Sequence, residues 1–428
     1  MLRSARRARL EARTTAMRVL LSCALLLAGS AAARAQYPDK QSFEVIEHGR
    51  YMASAADCTA CHTAPGGRPF AGGGALETPF GILLAPNITP DVATAIGGCT
   101  DDEFVNAVQN GIGRGGIHLY PAMPYTYYTK MTREDVIAIR AYLDTVEPVR
   151  NLVQANQLPF PFNQREAMVG WDALYFTPGE FKPDPGKTAE WNRGSYLVEG
   201  VEHCGLCHTP KNAMGGDENS RAMQGSVLQN WFAPDLTGSR RLGIGDWTIE
   251  DIALYLKTGR NRYDIASGPM ADAVTHSTSH LTDADLRAIA VYLKDLSPGG
   301  SMPSQPVSAQ NPAMQRGEAI YNERCAACHR VAGEGIVGLF PRLNGAPLVQ
   351  QSQATSLIRV VLEGSRAAAT DEAPTGPAMP SLAWQLSDAD VAAVVTYIRN
   401  AWGNAAPTVS AGEVANMRQT LHQEAQAP

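Results

Sequence analysis

Three short clusters in this chain combine residues that bind metals with residues that form covalent bonds: Cys58-Thr-Ala-Cys61-His62, Cys204-Gly-Leu-Cys207-His208 and Cys325-Ala-Ala-Cys328-His329. Cys-x-x-Cys-His is the attachment pattern of a c-type haem. Its two thiols stand about one helical turn apart, the reach needed to add across both vinyl groups of one porphyrin, and the adjoining imidazole then lies under the iron. A lone Cys-x-x-Cys pair also suits zinc or thiol redox chemistry. Zinc, however, takes further paired ligands at each site, and a thioredoxin-type centre takes a strand-rich βαβ setting. Recurrence in three copies favours three covalently bound haem c groups.

Iron held from below by histidine needs a sixth ligand, and each cluster is followed by a methionine in a comparable context. Pro121-Ala-Met123-Pro124 lies 61 residues past His62, Gly268-Pro-Met270-Ala271 lies 62 past His208, and Pro377-Ala-Met379-Pro380 lies 50 past His329. Proline fixes the backbone beside a ligand that must stay in place with one soft thioether. His118, His276 and His280 are competing imidazoles, although each reads more simply as a loop histidine. Thioether ligation raises the iron potential relative to two imidazoles, and filling both axial positions leaves no open site for substrate. Electron transfer, not catalysis, is the expected chemistry.

The elements that must position these groups repeat with them. A helix-like approach precedes each cluster, at His48-Gly49-Arg50-Tyr51, Arg193-Gly194-Ser195-Tyr196 and Arg316-Gly317-Glu318. Ala85-Pro86-Asn87-Ile88-Thr89 matches Ala233-Pro234-Asp235-Leu236-Thr237, Thr100 matches Thr248, and Gly111 matches Gly259, so the first two copies are one duplicated unit. The third is shorter and keeps Pro341-Arg342-Leu343 and a helix ending at Gly364. Each copy closes on a capped helix: Thr132-Arg-Glu-Asp135 to Tyr142, Thr282-Asp-Ala-Asp285 to Tyr292, and Ser387-Asp-Ala-Asp390 to Tyr397. Alternating strand patterns are scarce, and the expected class is all-α. The spacing predicts domains over 36–148, 189–297 and 314–403. Between them lie an aromatic, proline-rich connector over 149–188, which should pack on its own domains or on another subunit, and a plain linker over 298–313. In the tail over 404–428, a short helix with Val414, Met417 and Leu421 on one side either docks or stays mobile.

The 428 residues suit two to four domains at roughly 100–200 residues each, and the composition excludes collagenous, coiled-coil and wholly disordered chains. Arg-rich residues up to Arg18, the apolar run Val19–Ala28 and Ala33-Arg34-Ala35 read as an export signal over 1–35, with Met17 an alternative start. Cys23 lies inside the apolar run, which argues against a lipid-modified cysteine. No later segment is apolar enough to span a bilayer. Removing residues 1–35 takes seven arginines and one acid, so the net charge falls from −6 to −12. Such a surface disfavours nucleic acid and anionic lipid and favours a basic protein patch. Of eight cysteines, one falls in the signal and six in the clusters, which leaves Cys99 where the second copy has Trp247. A buried inert thiol and an intermolecular disulfide are its two readings. Gly111-Ile-Gly113-Arg-Gly115-Gly116 fits a dinucleotide fingerprint, but a helix-like segment precedes it and Pro121 follows, against the strand-before, helix-after context such a site needs.

Taken with Ala85-Pro-Asn-Ile-Thr-Pro90, Leu119-Tyr-Pro-Ala-Met-Pro-Tyr125, Asn163-Gln-Arg165 with Trp171, and Trp231-Phe-Ala-Pro-Asp-Leu-Thr237, the chain resembles the triheme cytochrome c subunits of bacterial periplasmic alcohol, gluconate and related sugar dehydrogenases. The resemblance implies three tandem class I cytochrome c folds with loop-rich connections. It also implies a flavin- or quinone-dependent catalytic partner, and ubiquinone or a downstream cytochrome or oxidase as acceptor. By the same resemblance, Cys58, Cys61, Cys204, Cys207, Cys325 and Cys328 attach haem, His62, Met123, His208, Met270, His329 and Met379 ligate iron, and the carbonyls of Pro86, Pro234 and Pro341 accept the histidine N–H. No residue is expected to be catalytic. The carboxyl end lacks the strongly apolar tail of some relatives, so attachment to the outer face of the inner membrane would be peripheral. A self-contained haem enzyme (a peroxidase or a sulfur-compound oxidase) and a free periplasmic shuttle are the alternative functions; the enzyme needs an iron with an open position.

Overall fold

The computed structural model describes residues 41–300 and 305–425. The export signal expected over 1–35, with Cys23 and Met17, lies outside them. The longer helices are numbered here. In the first repeat, α1 (Phe43–Ala55), α2 (Asp101–Asn110) and α3 (Arg133–Leu143) surround the first cluster. Their counterparts are α4 (Ala189–Tyr196), α5 (Ile249–Thr258) and α6 (Asp283–Asp295) in the second repeat. In the third they are α7 (Pro312–Arg324), α8 (Thr355–Glu363) and α9 (Asp388–Ile398), followed by α10 (Ala411–Glu424). The side chains of Thr132, Thr282 and Ser387 accept from the amides of Asp135, Asp285 and Asp390 at 3.2 Å each, which caps the closing helices as their spacing predicts.

In every repeat the first helix crosses the last at a glycine. A methyl group at Gly49, Gly194 or Gly317 would overlap the carbonyl of Ala138, Ala288 or Ala393 respectively. Only glycine lets the two backbones meet this closely. The first and second repeats share one buried core, in which Met52, Val136, Ile139 and Leu143 pack with Leu197, Val198, Leu286 and Ile289. The third repeat has its own core around Met314, Tyr321, Ile358, Leu362, Val391 and Val395. The tail helix α10 docks there through Val414, with Met417 and Leu421 alongside, and Arg418 donates to Asp388 at 2.9 Å and to the carbonyls of Ala383 and Leu386 at 3.0 Å.

The joint between the first two repeats is reciprocal. Tyr51 of α1 donates to Asp285 of α6 at 2.6 Å, and Tyr196 of α4 donates to Asp135 of α3. The amides of Thr282 and Thr132 in turn donate to the two tyrosine oxygens, at 3.3 and 3.2 Å. Each aspartate is also held within its own repeat, Asp135 by His48 at 2.6 Å and Asp285 by Arg193 at 2.7 and 2.8 Å. The third repeat keeps the internal pair, Arg316 to Asp390 at 2.6 Å, but has Ala319 where the others have tyrosine and takes no part in the exchange.

Cys99 is a free, partly buried thiol. Arg140, which is 4% exposed, donates to the carbonyls of Ile96 at 2.8 Å and Cys99 at 3.5 Å, and the positions of Cys99 and Arg140 are taken in the second repeat by Trp247 and Ala290.

Among the described residues, four two-stranded antiparallel pairs interrupt the helices: β1 (Ala75–Thr78) with β2 (Gly81–Leu84), β3 (Ile112–Gly113) with β4 (Ile117–His118), β5 (Gln224–Leu228) with β6 (Trp231–Asp235), and β7 (Ser365–Arg366) with β8 (Ala378–Met379). These are the departure from a purely helical expectation. Strands of two to five residues are too short to leave an alternating pattern. The glycine run of the dinucleotide-like motif caps α2 at Gly111 and then enters the β3–β4 hairpin, so a strand stands where a dinucleotide site needs its helix. The β5–β6 hairpin turns on Gln229 and Asn230, both left-handed, and carries the third repeat. The Phe232 amide donates to Ser356 at 2.7 Å, Arg359 stacks over Trp231 at 4.9 Å and pairs with Glu424 of α10 at 2.6 Å, and Asn230 donates to Glu424 at 2.8 Å.

The connector lies against its own repeats: Gln157 exchanges amide–carbonyl bonds of 2.8 and 3.1 Å with Ile82, and Trp171 in the helix Ala167–Tyr175 donates to the Met214 carbonyl at 2.9 Å. The expected linker is anchored at both ends, with Gly299 donating to Thr237 at 2.9 Å and Val307 to Asn400 at 3.0 Å. Proline at the first turn starts α7 two residues inside the expected linker.

Gly317→Ala is expected to lower stability by about 1–3 kcal/mol through backbone overlap. Gly170→Ala, with nothing within 4 Å of the new methyl, should raise it by about 0.5–1 kcal/mol. Paired thermal melts check both signs.

The reciprocal joint also predicts a pH profile. Burial raises Asp135, but hydrogen bonds from His48 and Tyr196 outweigh it and hold the carboxyl below its usual range; Asp285 is likewise held low, against burial, by Arg193 and Tyr51. The bond to Asp135 raises His48. A lowered carboxylate contributes stability above about pH 4 that fades as pH falls through its folded value, and a raised histidine contributes below about pH 6.5 and fades as pH rises through its folded value. The stability lost in Asp135→Asn should therefore be greatest between those limits, as a pH series of melts would show.

Candidate haem sites

The first and third clusters begin within three residues of the end of α1 and α7, and in the second repeat a π-helical turn, Leu197–Val201, continues α4 to within three residues of Cys204. In the first two repeats a left-handed residue makes the turn, Asp57 at φ 48° before Cys58 and His203 at φ 40° before Cys204. In the third, Cys325 follows α7 directly. Each cluster then forms a short helix, Cys58–His62, Gly205–His208 or Ala326–His329, which places both thiols and the imidazole around one turn.

The three histidines share one geometry. Nδ1 donates to the carbonyl of Pro86 at 2.6 Å from His62, of Pro234 at 2.6 Å from His208 and of Pro341 at 2.9 Å from His329. That bond fixes the tautomer and the ring direction and leaves Nε2 as the ligating nitrogen. Burial lowers all three histidines, which keeps them neutral as metal ligands must be.

The thiols are free. None of the described cysteines is in a disulfide. Burial pushes Cys58 up to about 12 and Cys61 and Cys325 up to about 11, and it also raises Cys204 and Cys207. Thiol–disulfide chemistry needs the opposite shift. Among the described residues no three His, Cys, Asp or Glu side chains gather to hold a metal ion, so the cysteine pairs lack the further ligands of a zinc site. A group that takes two thiols and one neutral imidazole per site fits this donor set.

Met123 packs on the core that holds Cys58, and Met379 on the core that holds Cys325. Met270 differs. It lies on the first turn of the helix Pro269–His276 and packs in a small cluster of Ala266, Ala271 and Val274 with Ala368 of the third repeat. The competing histidines have other neighbours: His118 Nδ1 faces Asp172 at 3.7 Å, and His280 Nε2 donates to the Thr275 carbonyl at 3.1 Å. His276 ends its helix, and its carbonyl accepts from Ser54 at 3.4 Å.

Sequence reasoning missed the residues that join the first two sites. Tyr128 donates to the Ala56 carbonyl at 2.6 Å and packs edge-on against His203 at 5.4 Å, while a methyl at Gly205 would meet the Tyr127 hydroxyl at 2.8 Å. Tyr127 and Tyr128 therefore touch the approaches to both clusters. Asp57 is pushed up to about 8, by burial and then by Asp272; His203 is lowered to about 4, and Glu202 is raised, in both cases by burial. Acids next to a cysteine cluster leave no periodic signal, and only the fold shows them buried.

Helical repeats that deliver paired thiols and a carbonyl-bonded imidazole around one turn define a c-type cytochrome. The cytochrome c family model matches residues 46–147 and 314–402, which takes in the first and third repeats. Over 416 residues the chain is 39% identical to the alcohol dehydrogenase (quinone) cytochrome c subunit of Gluconacetobacter polyoxogenes, covering 92% of this chain and 88% of that one. It is 38% identical to the gluconate 2-dehydrogenase cytochrome c subunit of Pantoea cypripedii, covering 94% and 95%, and 37% identical to the fructose dehydrogenase cytochrome subunit of Gluconobacter japonicus, covering 87% and 82%. The chain belongs to this family of dehydrogenase cytochrome c subunits, and the family carries covalently bound haem c.

Replacing both cysteines of any one cluster by serine should remove one haem equivalent and leave the others attached, as pyridine haemochrome assay against protein concentration would show.

Proposed function

We propose that this chain is the electron-transfer subunit of a periplasmic, membrane-associated dehydrogenase complex and carries three haem c groups. In this proposal residues 36–148, 189–297 and 314–403 are three class I cytochrome c domains, and residues 1–35 direct export. Electrons enter from a flavin- or quinone-dependent catalytic subunit that oxidises an alcohol, gluconate or a related sugar. They leave to ubiquinone or another respiratory acceptor. The carrying observation is the threefold recurrence of one donor set: two free thiols around one helical turn and a histidine whose Nδ1 is bonded to a proline carbonyl. The names of the relatives support the dehydrogenase partner.

Haem c supplies reversible one-electron transfer at its iron. The six cysteines would hold it covalently, so it would not be lost between turnovers. His62, His208 and His329, aimed by Pro86, Pro234 and Pro341, would each supply an imidazole nitrogen to iron. Met123, Met270 and Met379 would each supply a thioether sulfur, which raises the potential and leaves no position open for substrate. No helix among the described residues is long and apolar enough to cross a membrane, and membrane association is assigned to the partner.

The haem-loaded chain alone should take up one electron per haem, leave its ferrous sites closed to carbon monoxide, and oxidise none of alcohol, gluconate or fructose with a dye acceptor. Substrate oxidation without a partner, or carbon monoxide binding at any site, would overturn the proposal.

A further inference from the structure

The connector motif Asn163-Gln-Arg165 with Trp171 has no part in holding haem, yet the connector grips one segment of the first repeat at several points. That segment is residues 112–125, which carry Met123. Tyr120 donates to the Phe162 carbonyl at 3.0 Å, and Arg165 donates to the His118 carbonyl at 2.9 Å while stacking over the Tyr120 ring at 4.6 Å. Asp172 meets the same segment twice. Tyr125 donates to its Oδ1 at 2.6 Å, and His118 Nδ1 faces its Oδ2 at 3.7 Å with no hydrogen-bond partner of its own.

Tyr125 is the link to the methionine. Its amide donates to the Met123 carbonyl at 2.7 Å, and its side chain is fully buried. The ring is clamped between Gly111, where a methyl would lie 2.6 Å from it, and Phe176 of the connector, edge-on at 5.2 Å. The connector helix is itself braced from behind by the second repeat: Trp171 donates to the Met214 carbonyl at 2.9 Å, and Tyr175 packs on Gly216. Met270 is instead placed by a helix start and Met379 by a two-residue strand pair. The connector's hydrogen bonds reach the first site's methionine segment, whereas the contact Met270 makes outside its repeat is the apolar one with Ala368.

We propose that Asp172 is a positioning residue for Met123. Through Tyr125 it holds the methionine loop against the first site, and by facing His118 it keeps the nearest competing imidazole turned to the connector. This rests on Met123 being an axial ligand, as proposed above. A partly buried carboxylate accepting a phenol O–H, as Asp172 does from Tyr125, makes a charge-assisted bond, the stronger class. Its loss should loosen the methionine at one site and leave the other two unchanged.

The test uses the haem-loaded full chain and reads the weak far-red absorption of ferric iron bound to thioether sulfur, together with imidazole binding at each haem. Met123→Leu is the reference and should abolish the first site's share of that absorption. Asp172→Ala should tighten imidazole binding at that same site by about tenfold and lower its potential. Asp172→Asn keeps an acceptor for Tyr125 and should restore most of the wild-type behaviour. Should Asp172→Ala fail to fold, Tyr125→Phe removes the same bond and keeps the ring. Wild-type imidazole affinity and potential in both Asp172→Ala and Tyr125→Phe, beside an altered Met123→Leu, overturn the strap alone. An unaltered Met123→Leu spectrum overturns the ligand assignment and the strap with it.

Discussion

The rest of the structure depends on one close contact made three times, a glycine in the first helix of a repeat pressed against a carbonyl of the last. Gly49, Gly194 and Gly317 let the two backbones touch, and the crossing fixes where the first helix ends. Each Cys-x-x-Cys-His cluster starts within three residues of that end, once the π-helical turn that continues α4 is included, so the position of the thiols is inherited from the crossing. The loops can then vary in length, from 50 to 62 residues between histidine and methionine, without moving the frame. Hydrophobic burial stabilises the frame, but the absence of a side chain is what gives it shape.

The repeats build two different associations from the same frame. The first two share a core and exchange tyrosine–aspartate bonds, whereas the third keeps its own core and is held through a hairpin, α10 and the Arg359–Glu424 pair. The difference follows from single positions. Tyr51 and Tyr196 reach across the joint, and Ala319 cannot. Likewise, Cys99 and Arg140 stand where the second repeat has Trp247 and Ala290.

Much of the frame was legible in the sequence because caps, helical periodicity and internal register are local signals. Thr132, Thr282 and Ser387 mark helix starts wherever they are read, and Val414, Met417 and Leu421 mark the docking face of α10. The clusters and their methionines were legible as residue types. The hairpins were not, since Gln229 and Asn230 form a left-handed turn without the glycine that would advertise it. Nor were the bonds from Tyr51 to Asp285 and from Tyr125 to Asp172, which span 234 and 47 residues and obey no period. Charges beside the clusters, such as Asp57 and Glu202, look like ordinary surface acids until the fold buries them.

The tyrosine–aspartate exchange has a consequence beyond holding two repeats together. When residue i of one unit bonds residue j of the other and the reverse bond is also made, the interface is isologous, the kind formed by symmetric pairs of separate chains. Written into one polypeptide, such a pair no longer dissociates on dilution, because the connector replaces bulk concentration with a fixed local one. Equivalence is lost in the same step. Once two copies share a chain, each can be altered alone, and the Cys99–Arg140 pair and the connector strap over Met123 are changes made to one half that a dimer of identical chains would have to bear twice.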